Sequence, residues 1–286
     1  MHTKLFILFI LFIPFFAQGQ SLSKERVQKI KECTVQVKIE DVDATGTGFF
    51  IAPDGSLLTC WHVIQPAIRF DSANRFIGMR KITIVYNNGT EEEYEVLPFF
   101  LRNGFEDAIS NDFCALIPKK RRTKPGTCLK IGDFDKAEEG QDIYTCGYPV
   151  GIGQQCITKG IISAKYIFPV TLNLPKEKKT FQRSQALLDM TMSRGISGGP
   201  IVKLGATADQ DEVIGIADFI VAPVGQDVEN ISKYAEELKK PNQGVLNDRD
   251  KDISNKYFAD TFSKLPIGLS GCVSINHVLA AINKIK

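Results

Sequence analysis

Short segments of alternating or continuous apolar residues, separated by turn signals, dominate the first half of the chain. Residues 34–39 (Thr-Val-Gln-Val-Lys-Ile) alternate with a period of two, and residues 82–86 are β-branched and apolar before an Asn-Asn-Gly turn. Residues 48–51 run into the hairpin signal Pro-Asp-Gly at 53–55 and then into another apolar segment. Many short strands between turns predict an all-β sandwich or barrel.

The second half has the same texture and adds a helical pattern at its end. Apolar residues at 275, 278, 279 and 282 recur with a helical period, and Ser274 is a suitable N-cap. A basic stretch with a Pro-Gly turn at 119–126 puts the boundary between two β units within about 120–140. Residues 223–265 are polar and predict a surface insertion. The strand candidates here are 142–147, 155–164, 185–190, 200–203 and 213–219.

The first 19 residues have the pattern of a signal peptide. Lys4 precedes an apolar run from Leu5 to Ala17, and Ala17-Gln18-Gly19 has the small-x-small form of a cleavage site. The run is shorter than the roughly 20 residues of a transmembrane helix. We therefore expect a secreted or periplasmic protein with no stable membrane span after cleavage, with an uncleaved anchor as the alternative.

Composition narrows the classes of partner. With 286 residues, 43% of them hydrophobic, the chain can bury a sizeable core and is not disordered. A net charge of +2 gives no electrostatic reason to expect a nucleic-acid partner. The seven cysteines contain no CxxC pair and predict no zinc site. Their odd number leaves at least one unpaired or paired between chains, and those in apolar strands are expected to act as small buried side chains.

Two short segments could carry nucleophilic chemistry. Gly195-Ile196-Ser197-Gly198-Gly199 holds a serine among glycines, and Thr59-Cys60-Trp61-His62 holds a histidine after an apolar strand. A serine hydroxyl needs an imidazole to take its proton and backbone N–H groups to stabilise the oxyanion. Of three histidines, His2 lies in the leader and His277 in the apolar helix pattern, so His62 is the candidate base.

The carboxylate that would orient His62 is less tightly determined. Asp112 stands at the start of the apolar strand 113–117, where a buried orienting carboxylate is expected. Asp107 is the competing candidate, and a simple turn-ending role for Asp112 is the structural alternative.

These motifs, in this order, resemble the trypsin-like serine peptidases, and the sequence is most similar to the HtrA/Do-type peptidase domain. The matching segments are Gly46-Thr47-Gly48-Phe49, Leu58-Thr59-x-x-His62-Val63, Asp112-Phe113-Cys114-Ala115-Leu116 and Gly195-x-Ser197-Gly198-Gly199-Pro200.

The resemblance implies two Greek-key six-stranded β-barrels with a C-terminal helix and a site in the cleft between them. Residues 20–130 would form the barrel that carries His62 and Asp112, and residues 131–286 the barrel that carries Ser197. It implies an endopeptidase acting on proteins or peptides, in which the N–H groups of Gly195 and Ser197 form the oxyanion hole. No metal, organic cofactor or PDZ domain is expected, and the oligomeric state is not predicted.

Some positions depart from the family pattern or bear on specificity. Ile196 stands where the family usually has Asn or Asp, and its β-branched side chain could disfavour the catalytic loop conformation. By similarity, Thr191 would lie at the base of the primary substrate pocket, and Asp218 would lie on the strand that pairs with substrate. An uncharged Thr191 favours small or medium apolar side chains. The second hypothesis is an inactive domain that binds peptides.

Overall fold

The computed structural model describes residues 22–42, 45–72, 76–120, 122, 126–174, 177–220 and 269–285. The predicted signal peptide at 1–19 and the predicted insertion at 223–265 lie outside the described residues. Within the described part of the chain, no helix is both long and apolar enough to cross a bilayer.

The first half of the chain forms a closed antiparallel barrel. Its strands follow the order β1-β2-β3-β8-β7-β6, which confirms the predicted barrel. In β1 the side chains of Val35, Val37 and Ile39 are buried while Gln36 and Lys38 point outward, as the alternation predicted. The strands are β1 (Thr34–Ile39), β2 (Thr45–Phe50), β3 (Leu57–Thr59), β6 (Ile82–Val85), β7 (Glu91–Val96) and β8 (Cys114–Pro118), with β4 (Ile68–Phe70) and β5 (Phe76–Met79) in a separate pair.

Three α-helices accompany this barrel. The helix α1 (Lys24–Cys33) begins where the Ser23 hydroxyl accepts a hydrogen bond from the Arg26 backbone N–H at 3.3 Å. The short helix α2 (Trp61–Ile64) follows β3 directly, and α3 (Phe105–Asn111) leads into β8. Both α2 and α3 end at the rim of the barrel that faces the second half of the chain.

The second half forms another closed barrel, with the order β10-β11-β14-β13-β12-β9. A C-terminal helix, α4 (Ile275–Asn283), follows it, with the Ser274 hydroxyl accepting from the Asn276 N–H as predicted. Two six-stranded barrels and a terminal helix confirm the expected fold class. The strands are β9 (Asp142–Gly147), β10 (Cys156–Asn173), β11 (Lys178–Asp189), β12 (Pro200–Lys203), β13 (Glu212–Ile220) and β14 (Leu269–Ser274).

The β10–β11 hairpin is longer than the sequence predicted. Residues 155–164 and 185–190 were expected as strands, but β10 continues to Asn173 and pairs there with Lys178. Beyond Ile161, β10 pairs only with β11 among the described residues, so this part is an edge strand. A proline is tolerated on an edge strand, which allows the ladder to continue through Pro169.

All seven cysteines are free thiols. Cys114 in β8 is fully buried, which confirms the expectation that cysteines in apolar strands act as small core residues. Cys60 is also buried, and its Sγ lies 3.2 Å from the Ala217 carbonyl oxygen of the other barrel. This thiol therefore contributes a contact between the barrels directly behind the cleft.

The helix α1 is attached to the second barrel by a buried ion pair. Arg26 Nε lies 2.8 Å from Asp211 Oδ2, and both side chains are largely buried. The same carboxylate accepts from the Tyr144 hydroxyl at 2.7 Å and from the Gly205 N–H at 2.7 Å. Both oxygens of the Asp211 carboxylate therefore accept hydrogen bonds, which compensates for the free energy lost when this charge is removed from water.

We expect Asp211→Asn to lower the free energy of unfolding by about 3 kcal/mol, because the amide would point N–H groups at two donors and leave Arg26 unpaired. Urea-induced unfolding measures the change. Asp209→Asn is the matched control, since Asp209 pairs with Lys29 at 3.4 Å while remaining almost fully exposed. Equal stability of the two variants would contradict the prediction.

Candidate active site

His62 points into the cleft because the rest of α2 is held in the core. Trp61, Val63 and Ile64 are buried, whereas the His62 side chain is 44% exposed. A single turn of helix anchored on three apolar side chains therefore leaves one side chain free to face the opposite barrel. This placement agrees with the position predicted for the base.

Asp112 sits at the C-cap of α3, in the left-handed conformation with φ 47° and ψ 50°. Aspartate and asparagine tolerate this region better than most residues do. The turn directs the carboxylate at α2, where Oδ1 accepts from the His62 backbone N–H at 2.9 Å and Oδ2 lies 2.6 Å from His62 Nδ1. Asp107, the competing candidate, instead pairs with Lys284 at 2.7 Å.

The serine loop depends on glycines with positive φ. Gly195 has φ +93° and Gly198 has φ +87°. A Cβ added at Gly198 would lie 2.1 Å from the Thr47 carbonyl oxygen, so only glycine fits there. Among the described residues, the N–H groups of Gly195 and Ser197 donate to no protein acceptor, which leaves both free to serve an oxyanion.

The strand β2 of the first barrel holds this loop through Thr47. The Thr47 hydroxyl donates to the Gly195 carbonyl oxygen at 2.6 Å, and its backbone N–H donates to the Ser197 carbonyl oxygen at 2.9 Å. The same hydroxyl accepts from the Tyr148 N–H at 3.0 Å. Thr47 was only part of a sequence motif, and nothing in its residue type indicated that it would fix the loop across the cleft.

Ile196 anchors the loop instead of disturbing it. Its side chain is buried, and a Cβ added at Gly147 would lie 3.1 Å from Ile196 Cγ2. Its backbone N–H donates to the Ser193 carbonyl oxygen at 3.1 Å. The apolar residue therefore fits the core at a position where the family usually has a polar one.

The Ser197 hydroxyl is directed at β13. Its Oγ lies 3.4 Å from the Asp218 carbonyl oxygen. Among the described residues, no hydrogen bond joins Ser197 Oγ to His62. In substrate-free enzymes such bonds are often long or misaligned and tighten in the substrate complex.

Asp218, expected to line the substrate pocket, turns its carboxylate toward the His62–Asp112 pair. A β-bulge in β13 between Ala217 and Phe219 leaves Asp218 without a cross-strand partner and redirects its side chain. Its Oδ1 lies 3.9 Å from His62 Nδ1, and its Oδ2 lies 3.2 Å from Arg183 NH1. The role of Arg183 beside Asp218 could not be predicted from the sequence, because a single arginine in a strand carries no signal of its own.

The side chains of His62, Asp112 and Asp218 change one another's pKa values. Burial lowers the pKa of His62, but the hydrogen bond to Asp112 and the nearby carboxylates outweigh it and raise this pKa above its ordinary value. Burial raises the pKa of Asp112, yet hydrogen bonds from His62 and Asp218 hold it well below the usual range. Burial, the hydrogen bond to Asp112 and the charge of Asp112 together raise the pKa of Asp218 to about 8.

A shallow cavity of only about 10 Å³ opens beside Ser197. Met192, Ser193, Asp218 and Phe219 contribute to its lining, which contains no cationic side chain. Thr191, predicted for the base of the primary substrate pocket, is exposed and does not line this cavity, whereas Met192, the next residue, does.

Four donor atoms in the site could in principle hold a metal ion. Ligand atoms of Cys60, His62, Asp112 and Asp218 all lie within 4.8 Å of one another. Neighbouring ligands around tetrahedral zinc are about 3.3 Å apart. The 2.6 Å between His62 and Asp112 is instead a hydrogen bond, and the Arg183 guanidinium on Asp218 opposes a second cation. The cluster is therefore better described as a proton-sharing network.

Two six-stranded barrels that bring a serine loop and an imidazole–carboxylate pair to one cleft define the double-barrel class of serine peptidases. The chain belongs to the trypsin-like peptidase domain family, which matches residues 46–216.

Curated relatives agree with this family. A protein of Rhizobium meliloti (strain 1021) named "Probable periplasmic serine endoprotease DegP-like" is 28% identical over 186 residues, which cover 65% of this chain and 30% of that protein. A protein of the same name from Rickettsia conorii (strain ATCC VR-613 / Malish 7) is 26% identical over 223 residues, which cover 74% of this chain and 38% of that protein. The chain thus spans about a third of the length of these relatives.

Solved structures show the same fold. "HtrA-type protease AlgW with tripeptide" superposes with a TM-score of 0.54 at 18% identity, covering 91% of this chain and 62% of that one.

Proposed function

We propose that this chain is an exported serine endopeptidase that hydrolyses peptide bonds of protein or peptide substrates through Ser197, His62 and Asp112. The observation that carries the proposal is the 2.6 Å contact between His62 Nδ1 and Asp112 Oδ2, opposite a serine loop held by Thr47. A carboxylate bound to Nδ1 fixes the tautomer whose Nε2 can accept a proton. That tautomer is the one a serine nucleophile needs.

The reaction would proceed in two halves. His62 Nε2 takes the proton of Ser197 Oγ as the oxygen attacks the substrate carbonyl carbon, and the same proton then passes to the leaving amine. Water, activated in turn by His62, hydrolyses the acyl-enzyme. Asp112, held ionised by two His62 N–H groups, stabilises the imidazolium formed in each half.

The oxyanion of both tetrahedral intermediates would be bound by the N–H groups of Gly195 and Ser197. Neither N–H is used by another described residue, and the positive φ of Gly195 sets the orientation of the peptide units around it. Removing one such donor typically costs about 10² to 10³ in kcat, so this loop supplies a large share of the rate.

The side chains beside Ser197 support a preference for a small or medium apolar side chain before the scissile bond. Met192 and Phe219 offer apolar surface, and the one carboxyl group of the lining, that of Asp218, already faces the Arg183 guanidinium. We infer cleavage after small or medium apolar residues.

An exported location also belongs to this proposal. The signal-peptide pattern at 1–19 and the periplasmic names of the relatives support a secreted or periplasmic protein. Residues 20–130 and 131–286 would then form the two barrel units of the mature chain.

A fluorophosphonate probe tests the proposal directly. We expect the purified protein to react covalently with the probe, the label to map by mass spectrometry to the peptide containing Ser197, and unfolded casein to be cleaved. Heat-denatured protein and Ser197→Ala should remain unlabelled, since reactivity requires the folded site. No labelling, or labelling that persists in Ser197→Ala, would overturn the proposal, and retention of an uncleaved peptide would favour a binding module.

A further inference from the structure

Two carboxyl groups, those of Asp112 and Asp218, meet at the imidazole of His62. Resting on the proposed function, we propose that Asp218 is a positioning residue that donates a shared proton to Asp112 and that loss of this proton limits activity at alkaline pH. It differs from the substrate-pocket role expected for Asp218, because its carboxyl acts on the orienting carboxylate.

The geometry favours a proton on one of the two groups. Asp112 Oδ2 lies 2.6 Å from His62 Nδ1, and Asp218 Oδ1 lies 3.9 Å from the same nitrogen. Oxygen atoms of the two carboxyl groups lie within 4.8 Å of each other, and both side chains are about 90% buried. Two ionised carboxylates repel at such a distance, and a proton on one of them removes the repulsion and supplies a donor for the other.

The surrounding donors decide which member carries it. Asp112 accepts from both the backbone N–H and the ring of His62, and these bonds favour its ionised form. Asp218 accepts from the Arg183 guanidinium, whose charge lowers the pKa of this carboxyl, but it has no backbone donor and is only 10% exposed, so burial and the Asp112 charge outweigh the guanidinium. The proton therefore resides on Asp218, whose pKa is raised to about 8 first by burial and then by Asp112.

Arg183 sets the orientation of the Asp218 carboxyl. Its NH1 lies 3.2 Å from Asp218 Oδ2, and its Nε donates to the Ser110 carbonyl oxygen at 2.7 Å. The Arg183 side chain, only 14% exposed, is thus held by the end of α3 and donates a hydrogen bond to Asp218 Oδ2. The other oxygen, Oδ1, remains on the side of His62 and Asp112, where the acid proton is needed.

Titratable and charged groups from several elements face Asp218. They come from the segment around α2, from the end of α3, and from the strands β10, β11 and β14 of the second barrel. The groups are Cys60, His62, Asp112, Tyr166, Arg183 and Cys272.

Only Asp218 and His62 among these groups change charge between neutral and mildly alkaline pH. Burial raises the pKa of the Cys60 and Cys272 thiols, and burial likewise raises that of Tyr166, so these groups stay neutral. Arg183 stays charged. Because the loss of the His62 proton increases activity, a fall in activity at alkaline pH reports Asp218.

The pH dependence follows from the signs of these shifts. The base is active when His62 is neutral, so kcat/KM rises as the pH passes the raised pKa of His62. Once Asp218 ionises, near pH 8, two adjacent carboxylates repel and Asp112 loses the donor that holds it on Nδ1. We therefore expect kcat/KM to fall above about pH 8, so that its plot against pH is a narrow bell-shaped curve.

Asp218→Asn provides the decisive variant. The amide is nearly isosteric with the protonated acid: its oxygen can accept from Arg183 and its N–H can donate to Asp112, but it cannot ionise. We expect kcat/KM at neutral pH to stay within about tenfold of wild type, the scale of one altered hydrogen bond. The alkaline fall should disappear. Asp218→Leu, of similar size without the donor, should lose about 100-fold or more.

An NMR titration gives a readout that does not need activity. Asp218 ionisation should add a second step, near pH 8, to the titration of the His62 ring proton, and this step should vanish in Asp218→Asn. His277→Gln assigns the signals. An alkaline fall that persists in Asp218→Asn, or a His62 titration with one step in wild type, would overturn the inference. If the wild type neither labels nor cleaves, the proposed function fails, and the titration still decides the carboxyl pair.

Discussion

His62→Ala and Ser197→Ala are each expected to lower kcat/KM by about 10⁶, because nucleophile and base act as one unit. Without the imidazole, the Ser197 hydroxyl loses the general base that would take its proton, and Asp112 keeps only the backbone N–H of residue 62 as a partner from α2. Steady-state hydrolysis of a peptide substrate with an apolar residue before the scissile bond measures the loss.

A matched control uses the other histidine of the described chain. His277 Nε2 accepts from the Ser184 N–H at 2.9 Å in the second barrel, and glutamine can accept the same bond. His277→Gln should therefore hydrolyse the substrate at the wild-type rate. The double variant His62→Ala/Ser197→Ala should be no worse than either single one. Additive losses, or a large loss in His277→Gln, would contradict the shared role.

The sequence predicted well what depends on local pattern. The alternation in residues 34–39 gives the buried and exposed faces of β1 directly. Setting aside His2 and His277 left His62 as the candidate base, and its side chain is indeed 44% exposed beside the Asp112 carboxylate. The position of Asp112 before an apolar strand likewise favoured it over Asp107, and the structure turns its carboxylate to α2.

Interactions between distant strands could not be predicted in the same way. Arg183 and Asp218 lie 35 residues apart, and their contact depends on a β-bulge that no residue type announces. Thr47 and Gly195 lie 148 residues apart and meet only because the barrels pack. These pairs arise from the closed topology of the second barrel and its docking on β2, which the chain specifies only through the whole fold.

The catalytic cleft therefore depends on contacts between the two barrels as much as on either barrel alone. The first barrel supplies His62 and Asp112 and holds the serine loop through Thr47. The second barrel supplies Ser197 and places the Asp218 carboxyl group beside the His62–Asp112 pair. A shift of one barrel would separate the proposed base, His62, from the proposed nucleophile, Ser197, and would also separate Asp112 from Asp218.

Asp112→Asn is expected to lower kcat/KM by about 10⁴ while leaving the fold intact. Asparagine tolerates the left-handed backbone that Asp112 adopts, so the C-cap of α3 is preserved. Its single oxygen would accept from the His62 backbone N–H, which leaves the amide N–H₂ facing Nδ1. The ring must then carry its proton on Nε2, and it can no longer take the proton of Ser197.

The circular dichroism spectrum and urea unfolding curve of Asp112→Asn should match those of the wild type. Asp112→Ala should lose stability as well as activity, because alanine accepts the left-handed conformation poorly. His62 ring-nitrogen chemical shifts, measured by NMR, report the tautomer and should show the proton on Nε2 in Asp112→Asn only. A variant that keeps wild-type activity, or that keeps the proton on Nδ1, would show that Asp112 does not set the tautomer. Because a misfolded variant would fail the unfolding test first, loss of activity with an unchanged fold can be assigned to the altered imidazole.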